Sequence, residues 1–141
     1  MLRSIKLPMK SNSDDEQSRR RISRALLGGL FITSGVLHFA RADLYRGVMP
    51  PNLPLQRELV ALSGFFEIAG GLGLFPERTR RAAGFGLIAL LLAVWPANLQ
   101  MLFNAQAAHE PAWKQAMLWA RLPLQIPLMI WVWRAAQPTK K

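Results

Sequence analysis

The sequence predicts an all-α protein: an integral membrane four-helix bundle with both termini on the cytoplasmic side. Three observations predict it. First, 51% of the 141 residues are hydrophobic although 18 are Lys or Arg, so oil and charge occupy different stretches. Second, the oil falls into four runs, at about 22–40, 59–75, 82–104 and 115–135. Each is near the ~20 residues that a helix needs to cross ~30 Å of hydrocarbon. Third, the cations cluster beside alternate ends of these runs. Arg19, Arg20, Arg21 and Arg24 abut the first, Arg78, Arg80 and Arg81 join the second to the third, and Arg134, Lys140 and Lys141 follow the fourth. If four helices alternate, all three clusters share one side. The other side keeps Arg41, Arg46, Arg57 and Lys114, partly offset by Asp43, Glu58 and Glu110. This is the positive-inside pattern.

The elements follow in order. Residues 1–21, "MLRSIKLPMKSNSDDEQSRRR", are polar and aperiodic and are expected to form a disordered basic cytoplasmic tail. "SRRRISR" ahead of an apolar run also has the look of a twin-arginine export signal, but three further runs follow and the arginines already serve topology. Residues 22–136 are the membrane domain. The link 41–57, "RADLYRGVMPPNLPLQR", holds Pro50, Pro51 and Pro54, which forbid a continuous helix, and too many apolar residues for a free loop. It is expected to cap the bundle at the outer interface. The second run is short and needs local thinning of the bilayer. "PERTRR" at 76–81 is a tight turn that makes spans two and three antiparallel neighbours. The third run, "AAGFGLIALLLAVWPANLQMLF", has no charge and no polar face, as a membrane span requires. Residues 137–141 form a short basic C-terminal tail.

Composition narrows the chemistry. The absence of cysteine removes disulfides, thiol redox chemistry and thiolate ligands. His38 and His109 are the two histidines, too few for a metal cage. The net charge of +10 sits at span ends, not on a folded basic face with interleaved aromatics, so no nucleic-acid partner is expected. The lipid bilayer is the expected partner, and the same cations attract anionic headgroups at on the order of 1 kcal/mol each.

Charge or strong polarity inside the runs is confined to one layer. With the N-terminus inside, Glu67 lies about 12 Å below the outer boundary, Asn98 about 8 Å, Arg121 about 9 Å and Gln125 about 15 Å, at ~1.5 Å per residue. His38 lies at the outer end of span one. Ser34 and His38, Ser63 and Glu67, and Arg121 and Gln125 are each four apart and share a face. An ionised Glu67 facing lipid would cost several kcal/mol, so it should turn inward. Arg121 is the cation at comparable depth, and a Glu67–Arg121 pair completed by Asn98, Gln125 and His38 would make the burial tolerable. Alternatively the carboxyl is buried in its neutral, protonated form. Pro96 and Pro127 each remove a helical hydrogen bond close to this layer, which favours a small wet or ligand-filled pocket. Equally, such a pair can serve only to fix which helices meet. Ala69 and Gly73, with Ala89, Ala93 and Ala97, read as packing seams. The five tryptophans read as belt or lipid-facing residues.

"GVLHF" (35–39), "VMPPNLP" (48–54), "SGFFEIAGGLGL" (63–74), "RRAAGFGLI" (80–88), "WPAN" (95–98) and "RLPLQ" (121–125) together resemble the DoxX family of small membrane proteins. The resemblance covers about 35–135. It implies a four-helix multi-pass protein of the bacterial inner membrane, with the family's polar residues falling on His38, Glu67, Asn98, Arg121 and Gln125. It also implies an accessory subunit of a membrane redox system, quinone- or thiol-linked, that binds a small ligand in the outer polar pocket and has no catalytic activity of its own. No cofactor is encoded, a quinone is the ligand the resemblance suggests, and the partner is a redox complex or a second copy of the chain. The alternatives are a small-solute transporter, against which the inner half offers no polar path, and a membrane chaperone or assembly factor.

Overall fold

The first helix begins well before the first apolar run. In the computed structural model of the protein, which describes residues 12–43 and 54–138, α1 spans Asn12–Ala40. Residues 12–21, expected to belong to a disordered tail, are its first turns. Two local reasons account for this. Asp14 and Asp15 stand in the first turn, where the helix dipole favours negative charge. Glu16 then binds Arg20 one turn on, at 2.8 Å. The remaining expected tails, 1–11 and 139–141, and residues 44–53 of the expected cap lie outside the described residues.

Three more helices follow: α2 (Gln56–Gly73), α3 (Arg80–Ala107) and α4 (Ala112–Ala136). The chain is thus all-helical over its described residues. Three helices are long and apolar enough to cross a membrane, over Asp14–Ala40, Arg80–Ala107 and Ala112–Ala136. The second expected span is the exception. At 18 residues it is short, and it carries Arg57, Glu58 and Glu67. α3 continues through Pro96, and α4 through Pro123 and Pro127.

The helices run up, down, up, down. Successive helices pack together, α1 touches α4 only slightly, and α2 and α4 lie diagonally apart. Two antiparallel hairpins result, α1–α2 and α3–α4. The contacts that bind them into one body gather at the end carrying Arg24, called here the basic end. There Leu27, Phe31, Leu74, Leu87, Val132 and Ala135 form the core, with Leu91, Leu128 and Trp131 against it. The α1–α4 bonds lie at the same end: Arg24 Nε donates to the Ala135 carbonyl at 3.1 Å, and Trp131 Nε1 to Ser23 Oγ at 2.7 Å. The turn between α2 and α3 closes this end. Arg80, buried, donates from Nε to Leu74 O and from Nη2 to Phe75 O, placing a cation just past the C-terminal end of α2.

The α1–α2 hairpin is held by glycines seven apart on each helix. A methyl added at Gly35 would lie 2.5 Å from the Gly64 carbonyl oxygen, and one at Gly71 would lie 2.8 Å from that of Gly28. Backbones this close need bare α-carbons. The seam is therefore Gly28, Gly35, Gly64 and Gly71. Of the expected seam residues, Gly73 meets Ala83, whereas Ala69, Ala89 and Ala93 are exposed. The outward faces are oily: Leu26, Phe65, Leu92, Trp119 and Leu124 are all exposed.

Candidate functional site

Gly64 decides the geometry at the opposite end of the bundle, the histidine end. Its bare α-carbon leaves room for His38, whose Cβ would stand 2.7 Å from any added methyl. His38 is buried there between α1 and α2, with Nδ1 3.3 Å from the Val60 carbonyl. A carbonyl only accepts, so that contact is a hydrogen bond when Nδ1 carries the proton. The other ring nitrogen, Nε2, lies 3.7 Å from Glu67 Oε1, and both side chains are nearly buried, at 11% and 13% exposure. Nε2 therefore faces the Glu67 carboxyl across the α1–α2 seam. The separation is too long for a direct hydrogen bond.

The pair does not satisfy Glu67. Its second oxygen, Oε2, and the hydroxyl of Ser63 one turn earlier are buried without a hydrogen-bond partner. Each such atom costs about 1–3 kcal/mol, and more when charged, unless something else meets it. Two orphaned atoms on one helix face, beside a buried histidine, form a small polar site inside an apolar hairpin.

A second polar pair stands on the other hairpin. Asn98 Nδ2 donates to Gln125 Oε1 at 3.4 Å, and Gln125 Nε2 donates to the Leu91 carbonyl. Leu91 precedes Leu92, whose carbonyl loses its helical donor at Pro96. Gln125 is buried, so this contact pins α4 to α3 next to the proline break.

The five residues expected to form one layer are thus divided. His38 and Glu67 couple α1 to α2, while Asn98 and Gln125 couple α3 to α4. Arg121 joins neither pair and is exposed. The expected Glu67–Arg121 pair does not form, for a reason of packing. Arg121 precedes Leu128 and Ala135 by seven and fourteen residues and so shares their face of α4. That face is covered at the basic end, where Leu128 and Ala135 join the core, whereas Arg121 itself is exposed. α2 and α4 are also diagonal to each other.

The sequence model of the family described as Domain of unknown function (DUF8561) matches residues 27–136. The chain belongs to this family. The match corrects the DoxX resemblance, which is set aside. Outside a few polar positions, the six strings behind that resemblance are made of glycines, prolines and apolar residues. Close helix packing in lipid asks for those residues in any family, so they carry little family information. No curated protein and no solved structure matches the chain. A role for this DUF8561 chain therefore rests on its own geometry.

Two participants carry no sequence signal: the Val60 and Leu91 carbonyls are backbone atoms chosen by packing. Ser63 does carry one, its spacing of four from Glu67. Among the described residues no group of three or more His, Asp or Glu could hold a metal ion.

Proposed function

We propose that the protein is a multi-pass protein of the bacterial inner membrane, with both termini cytoplasmic, that binds a bilayer-soluble ligand through a hydroxyl at the Glu67–Ser63 site. The observation that carries this reading is the pair of buried, unpartnered atoms, Glu67 Oε2 and Ser63 Oγ. A ligand hydroxyl supplies the donor that the carboxyl oxygen needs and an acceptor for the Ser63 proton. The surrounding helix is apolar, so the rest of the ligand is apolar too. A quinol has both properties and defines the class. The chain then acts as a ligand-holding accessory subunit of a membrane redox system, with electron transfer left to a partner. Membrane placement is supported by the three long apolar helices and the oily outer faces. Orientation is supported by the cations at the basic end, where both α1 begins and α4 ends.

Titration of the purified full chain in mild detergent with a short-chain quinol, followed by native mass spectrometry, tests the reading. Wild type should bind one molecule, Ser63→Ala should bind several-fold more weakly, and Glu67→Gln should lose most of the affinity. Equal binding by all three proteins, or none by wild type, would refute it.

A further inference from the structure

A second site lies at the basic end, independent of the Glu67 site. A cavity of about 630 Å³ opens between the first half of α1 and the C-terminal end of α4, lined by Glu16, Arg19, Arg20, Ser23, Arg24 and Arg134, with Ala135, Gln137 and Pro138 also against it. Four arginines against one glutamate leave three positive charges in excess. Glu16 is already engaged by Arg20.

The site is built, not a loose cluster. Arg24 is 7% exposed, and its Nε is tied to the Ala135 carbonyl across the bundle. Its guanidinium is thereby held at the cavity wall. Ser23 Oγ accepts from Trp131 Nε1, which leaves its own proton available as a donor. Planar arginine forks and a hydroxyl are the donor set that recognises phosphate oxygens.

The surroundings indicate how the phosphate arrives. Ile22 and Leu26, three and seven residues after Arg19 on α1, and Ile130, four before Arg134 on α4, are exposed on the same helix faces as those arginines. Arg24 stands at the start of the apolar run. A phosphate held there has charged donors around it and bare hydrocarbon surface just beyond, as a lipid headgroup does.

We propose that this cavity binds the phosphodiester of an anionic phospholipid, with the acyl chains lying along the exposed apolar faces of α1 and α4. The full chain in mild detergent is titrated with phosphatidylglycerol, with phosphatidylcholine, and with glycerol phosphate as the soluble source of the same group, and bound species are read by native mass spectrometry. Arg19→Gln/Arg134→Gln is the main variant, because both side chains are exposed and neither makes the α1–α4 bonds. Helix content by circular dichroism should match wild type. Phosphatidylglycerol should bind wild type more tightly than phosphatidylcholine, and the double variant should weaken it roughly 30-fold, at about fivefold per cation. Arg24→Lys, which keeps the charge but loses the fork, should weaken it several-fold. Equal affinity for the two lipids, or an unchanged affinity in the double variant, overturns the proposal. Displacement of the lipid by equimolar glycerol phosphate also overturns it, since the site would then read a soluble phosphate ester.

Discussion

Glu67 is a carboxylate in an apolar helix, and the neighbour that faces it is a histidine 3.7 Å away on α1, not the arginine on α4. The pairing has a measurable signature. Residues in direct contact couple by about 0.5–3 kcal/mol in a double-mutant cycle, whereas separated residues add. Glu67→Gln with His38→Gln should therefore cost less than the two single changes together, read as thermal unfolding in detergent. Glu67→Gln with Arg121→Gln should be additive within about 0.5 kcal/mol. The reverse pattern would mean that Glu67 turns to Arg121 in the protein. Much of this was legible beforehand: that Glu67 must face inward follows from the cost of lipid exposure, and that it shares a face with Ser63 from a spacing of four. Its true partner was not, because hydropathy fixes the depth of a residue along a helix but not which helix lies next to it.

Neighbour choice is settled at the scale of the helix, by glycine. Gly35 and Gly64 bring α1 and α2 into backbone contact, and that approach carries His38 to within 3.7 Å of Glu67. A methyl at Gly64 would meet His38 Cβ at 2.7 Å and the Gly35 carbonyl oxygen at 2.9 Å. Gly64→Ala should therefore cost about 1–3 kcal/mol through overpacking. It should also abolish the His38–Glu67 coupling. Gly29 has nothing within 4 Å, so Gly29→Ala should be neutral or gain up to about 1 kcal/mol from helix propensity. Equal effects at the two positions, measured by thermal unfolding, would show that the seam does not hold the hairpin. The apolar runs announced the helices themselves, with boundaries displaced where local pairs add turns, as Glu16–Arg20 does for α1. The seam was misread because a small residue marks close approach only on the face that meets a neighbour, and Ala69, Ala89 and Ala93 point away.

For the whole molecule, the ordering of cations predicts how the chain sits. A reporter fused after Gln137 should report the cytoplasm and one inserted after His109 the opposite side. A periplasmic signal at Gln137 would reverse the orientation. The up-and-down order was readable from the alternation of oil and charge. The position of the main core cluster, toward the basic end, was not, since all four runs are apolar and nothing in their composition says where facing side chains interlock. The position of that cluster has a mechanical consequence. The molecule is a pair of arms on a fulcrum at the cluster, clamped where Arg24 holds α4, while Val60, Leu102 and Ala105 are buried toward the far tips and resist rotation there. A helix of 28 residues is about 42 Å long, so a rotation of roughly 5° at the fulcrum displaces its far tip by roughly 4 Å. Small changes in bilayer thickness or lateral pressure are thereby geared up into the spacing between the arm that bears Glu67 and the arm that bears Gln125.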